Sequence, residues 1–276
     1  MIRLSAFADE ISPDLDQQIE VLQSEGIQFI ELRSVWGKGV LELTDSEVDK
    51  VKNMTAAAGM RVLGIGSPIG KVPADTPIEK ELLRLERAAN LVKLLEAESI
   101  RIFSYYPPQS DPAAEPEDFR QLALDNLEAL TAYATQQDVL LLHENDTDLY
   151  GATLSRSADV MEQIQSPCLG AILDPANFAL SGEITFPDAY HQLRTRLRCV
   201  HVKDAKAGMV VAAGEGSVRF PDLLSAMKSD GFAGYLALEP HLQSQGRYSG
   251  FSGVELFRRA ARSFQKLLQE LDWEWE

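Results

Sequence analysis

The chain has 276 residues, 45% of them hydrophobic, and 26 Lys and Arg stand against 42 Asp and Glu, for a formal charge of −16. That charge excludes a protein built to grip nucleic-acid backbones, which needs a basic surface for counterion release, and no apolar run approaches the ~20 residues that span a bilayer. Two cysteines, Cys168 and Cys199, exclude a disulfide framework or a thiolate metal site; with a start, MIRLSAFADE, that turns acidic too early for a secretory signal, the expectation is a cytoplasmic protein acting on small molecules.

In chain order, IRLSAFA (2–8) reads as the first strand. Ser12-Pro13 then opens a helix, a capping hydroxyl before a proline at the first helical position, and Gly26 closes it. QFIEL (28–32) is the second strand, and the loop after it, ELRSVWGK, offers Glu31, Arg33, Trp36 and Lys38. TDSE at 44–47 and TPIE at 76–79 have the form of capping boxes, with RVLGIG (61–66) between them as the third strand. IRIFSYY (100–106) is the fourth, ending in a stiff aromatic edge, Tyr105-Tyr106-Pro107-Pro108. The later strands are VLLLHE (139–144), LGAILD (169–174), RCVHVK (198–203) and YLALE (235–239). Helical spacing falls at about 117–136, 155–165, 186–196, 220–230 and 253–271. In the last of these, Val254, Phe257, Ala261, Phe264 and Leu268 trace an apolar stripe.

Continuous apolar runs suit strands buried on both faces of a parallel sheet. Eight strand-then-helix units without a low-complexity linker predict an α/β fold, a single-domain (β/α)8 TIM barrel over residues 1–276. The rival, an open doubly wound sheet, lacks its glycine fingerprint: FADEISPD has no glycine, and GIGSP has only two.

Barrels of this kind work at the carboxyl ends of their strands. There the fifth strand ends on His143-Glu144-Asn145, the sixth on Asp174, the seventh carries His201, Lys203 and Asp204, and the eighth ends on Glu239 and His241. Each alone has an ordinary explanation: Asp174 before Pro175 starts a turn, and His201 is a core histidine with a satisfied hydrogen bond. His143 and Glu144 cannot both face inward on a regular strand; Glu144 is the one assigned to the interior. Three carboxylates and an imidazole converging in a low-dielectric barrel mouth repel one another, and a divalent cation resolves this. Oxygen ligands with one imidazole favour Mn2+ first, with Mg2+, Co2+ or Zn2+ as alternatives.

With HEN after the fifth strand, LDPANF at the sixth, VHVKD at the seventh, GEG shortly after and LEPH at the eighth, the whole chain resembles the sugar phosphate isomerase/epimerase group of the xylose-isomerase-like TIM-barrel superfamily. The resemblance implies one divalent ion held by Glu144, Asp174, His201 and Glu239, and it implies Glu144 and Glu239 as paired acid and base on opposite faces of a sugar or keto-sugar. A metal-stabilised enediolate would then be epimerised or isomerised; expulsion of a β-substituent from it, as in a lyase or dehydratase, is the alternative. Two positions depart from the family: Asn177 stands where many relatives have a histidine, and the arginine common after the seventh-strand histidine is replaced by Lys203 and Lys206. Expected substrate contacts are Asn177, Lys203, Asp204, Arg33, Trp36, Lys71, His241 and Glu215. Phe7 and Phe103 are expected to floor the pocket, and His191 to serve structure. A homo-oligomer is the expected assembly where one forms, the C-terminal LDWEWE either covering the barrel or meeting a neighbour. DNA repair, by the histidine-richer zinc enzymes that share the fold, is excluded by four histidines in all and a charge of −16.

Overall fold

A computed structural model describes residues 1–243 and 252–276. Its eight parallel strands are β1 (Arg3–Phe7), β2 (Phe29–Leu32), β3 (Arg61–Ile65), β4 (Ser99–Ile102), β5 (Leu140–Glu144), β6 (Leu169–Leu173), β7 (Leu197–Val202) and β8 (Tyr235–Leu238). They pair in sequence order, and β1 also pairs with β8, so the sheet closes into a barrel. Outside them run α1 (Leu15–Ser24), α2 (Asp45–Ala57), α3 (Ile78–Leu95), α4 (Arg120–Gln137), α5 (Leu154–Gln163), α6 (Pro175–Leu180), α7 (Tyr190–Leu193), α8 (Phe220–Ser229) and α9 (Gly253–Glu270). The expected single-domain TIM barrel is therefore the fold.

The strands are apolar on both faces because both faces are covered. Phe7, Phe29, Leu63, Leu142, Ile172, Cys199, Tyr235 and Ala237 fill the barrel interior, while a larger cluster packs helices onto the outside. In α9 the expected stripe is real: Phe257, Ala261, Phe264 and Leu268 are buried. The C-terminal tail covers the barrel's entry end, where Ile2 N–H donates to Glu274 O and Leu4 N–H to Glu276 O, with Trp273 buried.

Several element boundaries differ from the sequence reading. Ser12 does not cap α1. The charged carboxylate of Asp14 takes the Gln17 N–H instead, Ser12 Oγ accepts from Asp14 N–H, and Pro13 is left before the helix. TDSE forms its box, Thr44 and Glu47 accepting from one another's backbone N–H. TPIE does not, because Pro77 occupies the N-cap position of α3 and has no side-chain acceptor. The helix expected at 186–196 is a wide turn, Thr185–Ala189, containing a cis Phe186–Pro187 bond, and then only α7. The sequence reading missed α6 altogether. Asp174-Pro175 looks like a turn but is a capping carboxylate with proline in the first helical turn.

Candidate metal centre

Glu144, Asp174, His201 and Glu239 come from β5 to β8, and each offers one ligand atom within 4.8 Å of the others. The register explains the convergence. His201 stands opposite Ala237, so Glu239, two residues further along β8, rises on the same inner side. Next to Glu144 on the same strand, His143 turns outward against Gly151. The inner position thus belongs to Glu144. Asp174 is held at both ends: its Oδ1 accepts from Asn177 N–H (2.9 Å), and its backbone trades hydrogen bonds with the Asn145 amide at 2.8 and 2.9 Å. Its Oδ2 is left for the centre.

Three cations surround the carboxylates. Arg101 Nη1 donates to Glu144 Oε2 (3.0 Å) and lies 3.6 Å from Glu239 Oε1. Lys203 Nζ is 2.6 Å from Asp174 Oδ2, at an angle outside hydrogen-bond geometry, and 3.5 Å from Glu239 Oε2. Arg33 Nη1 donates to Glu239 Oε1 (2.7 Å). Burial raises the pKa of each carboxyl, and the neighbours decide the outcome. His201 and Arg101 outweigh burial and bring Glu144 down to about 2, and Lys203, His241 and His201 hold Glu239 well below the carboxylate range. At Asp174 burial wins, assisted by the two glutamates, and lifts it to about 6 despite Lys203.

The donor set fits a divalent ion. Both nitrogens of the fully buried His201 ring lack a hydrogen-bond partner, although Nδ1 lies 3.2 Å from Glu144 Oε1 and from Glu239 Oε2. A buried imidazole left unsatisfied between carboxylate oxygens is costly in a purely structural role and suited to ligation. Three carboxylates and one imidazole match hard to borderline ions.

Phe7 meets the His201 ring edge-on at 5.1 Å between centroids, and Phe103 lies beneath Arg101 and Lys71, so both floor residues are where they were expected. Lys203, Arg33 and His241 join the centre, His241 Nε2 lying 3.5 Å from Glu239 Oε1. Asn177 reaches Asn145 O and Asp146 Oδ1 beside it. Lys71 pairs with Asp146 at 2.5 Å on the rim.

Three expected substrate contacts lie elsewhere. Asp204 is fully buried and accepts from the N–H groups of Ala205, Gly214, Gly216 and Val218, so its carboxylate organises the loop after β7. The GEG motif serves that purpose: a Cβ at Gly216 would collide with Asp204. Glu215 points the other way, to Arg259 on α9. Trp36 packs on the core with the Lys50 ammonium 4.6 Å from its ring centroid. Lys38 pairs with Glu47, and the exposed His191 lies beside the rings of Phe186 and Tyr190, away from the centre.

The sequence reading missed Asp9, Glu10 and Arg101. FADE stands directly at the carboxyl end of the first strand, the same signal that marks the later strands, and its carboxylates go unused when only its lack of glycine is weighed. Arg101 sits inside the strand, where alternation alone shows it facing inward. Glu31 points into the barrel, accepts from Ser5 Oγ at 3.1 Å, and is pushed up to about 7 by burial; Gly64 leaves room for its carboxyl.

A closed eight-stranded barrel with an acidic, one-histidine centre at its carboxyl rim defines a class of protein. Residues 19–273 match the family described as the xylose isomerase-like TIM barrel, and the chain belongs to it. No curated protein matches the sequence significantly. Among solved structures, D-psicose 3-epimerase from Clostridium cellulolyticum H10, determined with D-tagatose, is similar at 13% identity and a TM-score of 0.76, over 98% of this chain and 99% of that one. The IolI protein with a bound zinc atom is similar at 17% and 0.75, over 98% and 99%. A probable 3-DHS dehydratase, AsbF, involved in petrobactin synthesis in Bacillus anthracis, is similar at 15% and 0.72, over 96% and 99%. At these identities the likeness is one of fold. Among the described residues no helix is long and apolar enough to cross a membrane.

Proposed function

We propose that this barrel is a divalent-metal-dependent isomerase or epimerase of a sugar or keto-sugar, with Glu144 and Glu239 as its acid and base. One observation carries the reading: two buried glutamates approach one imidazole to the same 3.2 Å, and each has its second oxygen held by an arginine. Glu144, Asp174, His201 and Glu239 would hold the ion, Mn2+ being the first choice. Bound there, it would act as a Lewis acid and lower the energy of charge developing on the substrate oxygen next to the reacting carbon. Glu144 and Glu239 are both held ionised, as a base must be, and they stand on different strands. One, as the carboxylate, would take a proton from the carbon beside the carbonyl and keep it, and the other would first take up a proton from solvent and then give that proton to the opposite face of the same carbon. In this reading Lys203 would bind a hydroxyl or carbonyl oxygen, and Asn177 would meet a substrate hydroxyl through its amide oxygen. The protein acts in the cytoplasm on a free small molecule, without nucleic acid or membrane.

A second reading is favoured by Lys203. Its ammonium is buried and held charged by Asp174 and Glu239 against the cost of burial, so it supplies a fixed positive charge that would stabilise an oxygen leaving as an anion. The same proton abstraction would then end in elimination.

Incubation of Mn2+-loaded protein with a panel of ketoses and 3-keto-glycosides in D2O separates the two. Deuterium at one carbon without a new enone absorbance supports isomerisation or epimerisation, and an enone supports elimination. An ion-loaded protein that exchanges no substrate carbon in the panel counts against both.

A further inference from the structure

Glu239 divides its oxygens between two neighbourhoods. Oε2 faces His201 and Lys203 at 3.2 and 3.5 Å, while Oε1 accepts from Arg33 Nη1 at 2.7 Å. Arg33 has little freedom to do anything else. Its Nε donates to Asp9 Oδ2 and its Nη2 to Glu10 Oε1, both at 2.8 Å, and its guanidinium lies 4.8 Å from the Phe7 ring centroid. Its backbone carbonyl accepts from Val40 N–H, and Gly66 supplies the space its Cβ requires.

Glu10, the far anchor, is fully buried and held as firmly. Its Oε2 accepts from Ser252 Oγ (2.9 Å) and His241 N–H (3.2 Å), and its backbone carbonyl accepts from Ser252 N–H. Asp9 is steadied in turn by Ser34 Oγ at 2.7 Å. The net ties the ends of β1, β2 and β8 to the start of α9.

We infer that Arg33 is a positioning residue, fixing the plane in which the Glu239 carboxylate meets the centre, and that it is not a substrate ligand. The inference rests on the reading that Glu239 works at the centre. A carboxylate free to turn about its last bond swings its plane, and with it the oxygen that faces the centre, out of line. A guanidinium anchored by two other carboxylates sets that plane, and each of the three nitrogens of Arg33 is tied to a different carboxylate in doing so. Lysine, a point charge without the planar fork, cannot span Asp9, Glu10 and Glu239 together.

The test uses R33K and R33Q, with E10Q as a milder change that leaves the guanidinium in place. Three measurements are made on each: kcat and KM, Mn2+ affinity by calorimetry, and the Glu239 side chain in crystals of the metal-free variants. The expected result is a fall of about 10- to 100-fold in kcat and in Mn2+ affinity, KM changing little, with Glu239 turned from its wild-type orientation. E10Q should fall between wild type and R33K. A tenfold rise in KM at unchanged kcat and Mn2+ affinity would make Arg33 a substrate ligand and overturn the inference. So would R33K and R33Q crystals in which Glu239 keeps its orientation. Because the crystals are read without substrate, this outcome stands even where the wild-type protein turns over nothing, which would sink only the functional reading.

Discussion

The two halves of the barrel rim make different contributions to the centre. From β5 to β8 come the acceptors, Glu144, Asp174 and Glu239, with His201 among them. From β1 to β4 come the arginines that steady those acceptors, Arg101 on β4 and Arg33 just after β2. The glutamates answer to them symmetrically. Glu144 gives Oε2 to Arg101 and turns Oε1 to His201; Glu239 gives Oε1 to Arg33 and turns Oε2 to His201. A charged centre is thus prepared by cations that each occupy only one oxygen of a ligand. Lys203 is the exception, since it comes from the acceptor half and faces Asp174 directly.

The largest effect should come from removing the acid–base charge of the acceptor half while keeping its shape. E144Q and E239Q are each expected to lower deuterium exchange into substrate by about 10²- to 10⁴-fold. Equal losses would support a two-sided mechanism. If one variant exchanges at near the wild-type rate, a single base serves the reaction and the symmetry is only structural.

The donor half is tested next. R101M removes a buried cation and leaves Glu144 without its arginine, and breaking a buried pair in this way costs roughly 3–5 kcal/mol. Metal-free R101M should therefore lose stability of that order in urea denaturation. Saturating Mn2+ should recover more stability in R101M than it adds to wild type, because the ion meets a less neutralised cluster. An equal increment in both proteins would mean that Arg101 and the ion do not act on the same charge.

How much of this was legible in the sequence follows from the same division. The fold was, because strand rhythm and apolar runs are local properties that the closed sheet requires of every unit. The acceptor half was, because each ligand stands at a strand end, where a carboxylate after an apolar run is conspicuous. The donor half was legible only in part. Arg33 stands out by its charge, but its partners Asp9 and Glu10 lie in the short turn of helix after β1, and no spacing connects residue 10 with residue 239. Arg101 interrupts an apolar strand, and its meaning depends on Glu144 rising on the same inner face of the neighbouring strand, two residues beyond its partner Leu142. The errors have a similar origin. Asp204 and Glu215 carry the right charge at the right end, and only the conformation of the loop between them shows that one is consumed by backbone N–H groups.

A smaller effect comes from comparing adjacent residues on β5. Glu144 faces inward and is brought down to about 2, whereas His143 faces outward and burial pushes it down to about 4. A histidine with a depressed pKa in the fold adds stability above its unfolded value, near 6.5, and that stability is lost as pH falls toward 4. The loss amounts to roughly 3 kcal/mol, at about 1.4 kcal/mol per pKa unit. Denaturation of metal-free H143N across pH 7 to 4 should show a shallower decline than wild type. An unchanged slope would assign the acid sensitivity to other groups.

The smallest effect should lie in the loop after β7, where two carboxylates expected at the substrate part company. Asp204 accepts four backbone N–H groups at 2.8–3.1 Å in a buried site, so D204N loses acceptor capacity there and costs on the order of 2 kcal/mol. Glu215 meets Arg259 at the surface, where each side chain is roughly half exposed, and such pairs contribute about 0–1 kcal/mol. E215Q should leave both stability and KM within experimental scatter. A clear rise in KM for E215Q would bring Glu215 back to the substrate and show that the loop closes over the rim when the substrate binds, releasing Arg259. In that case the GEG glycines would have a second purpose besides cradling Asp204, because a turn with Gly214 at φ +88° can be re-formed without a side chain in the way.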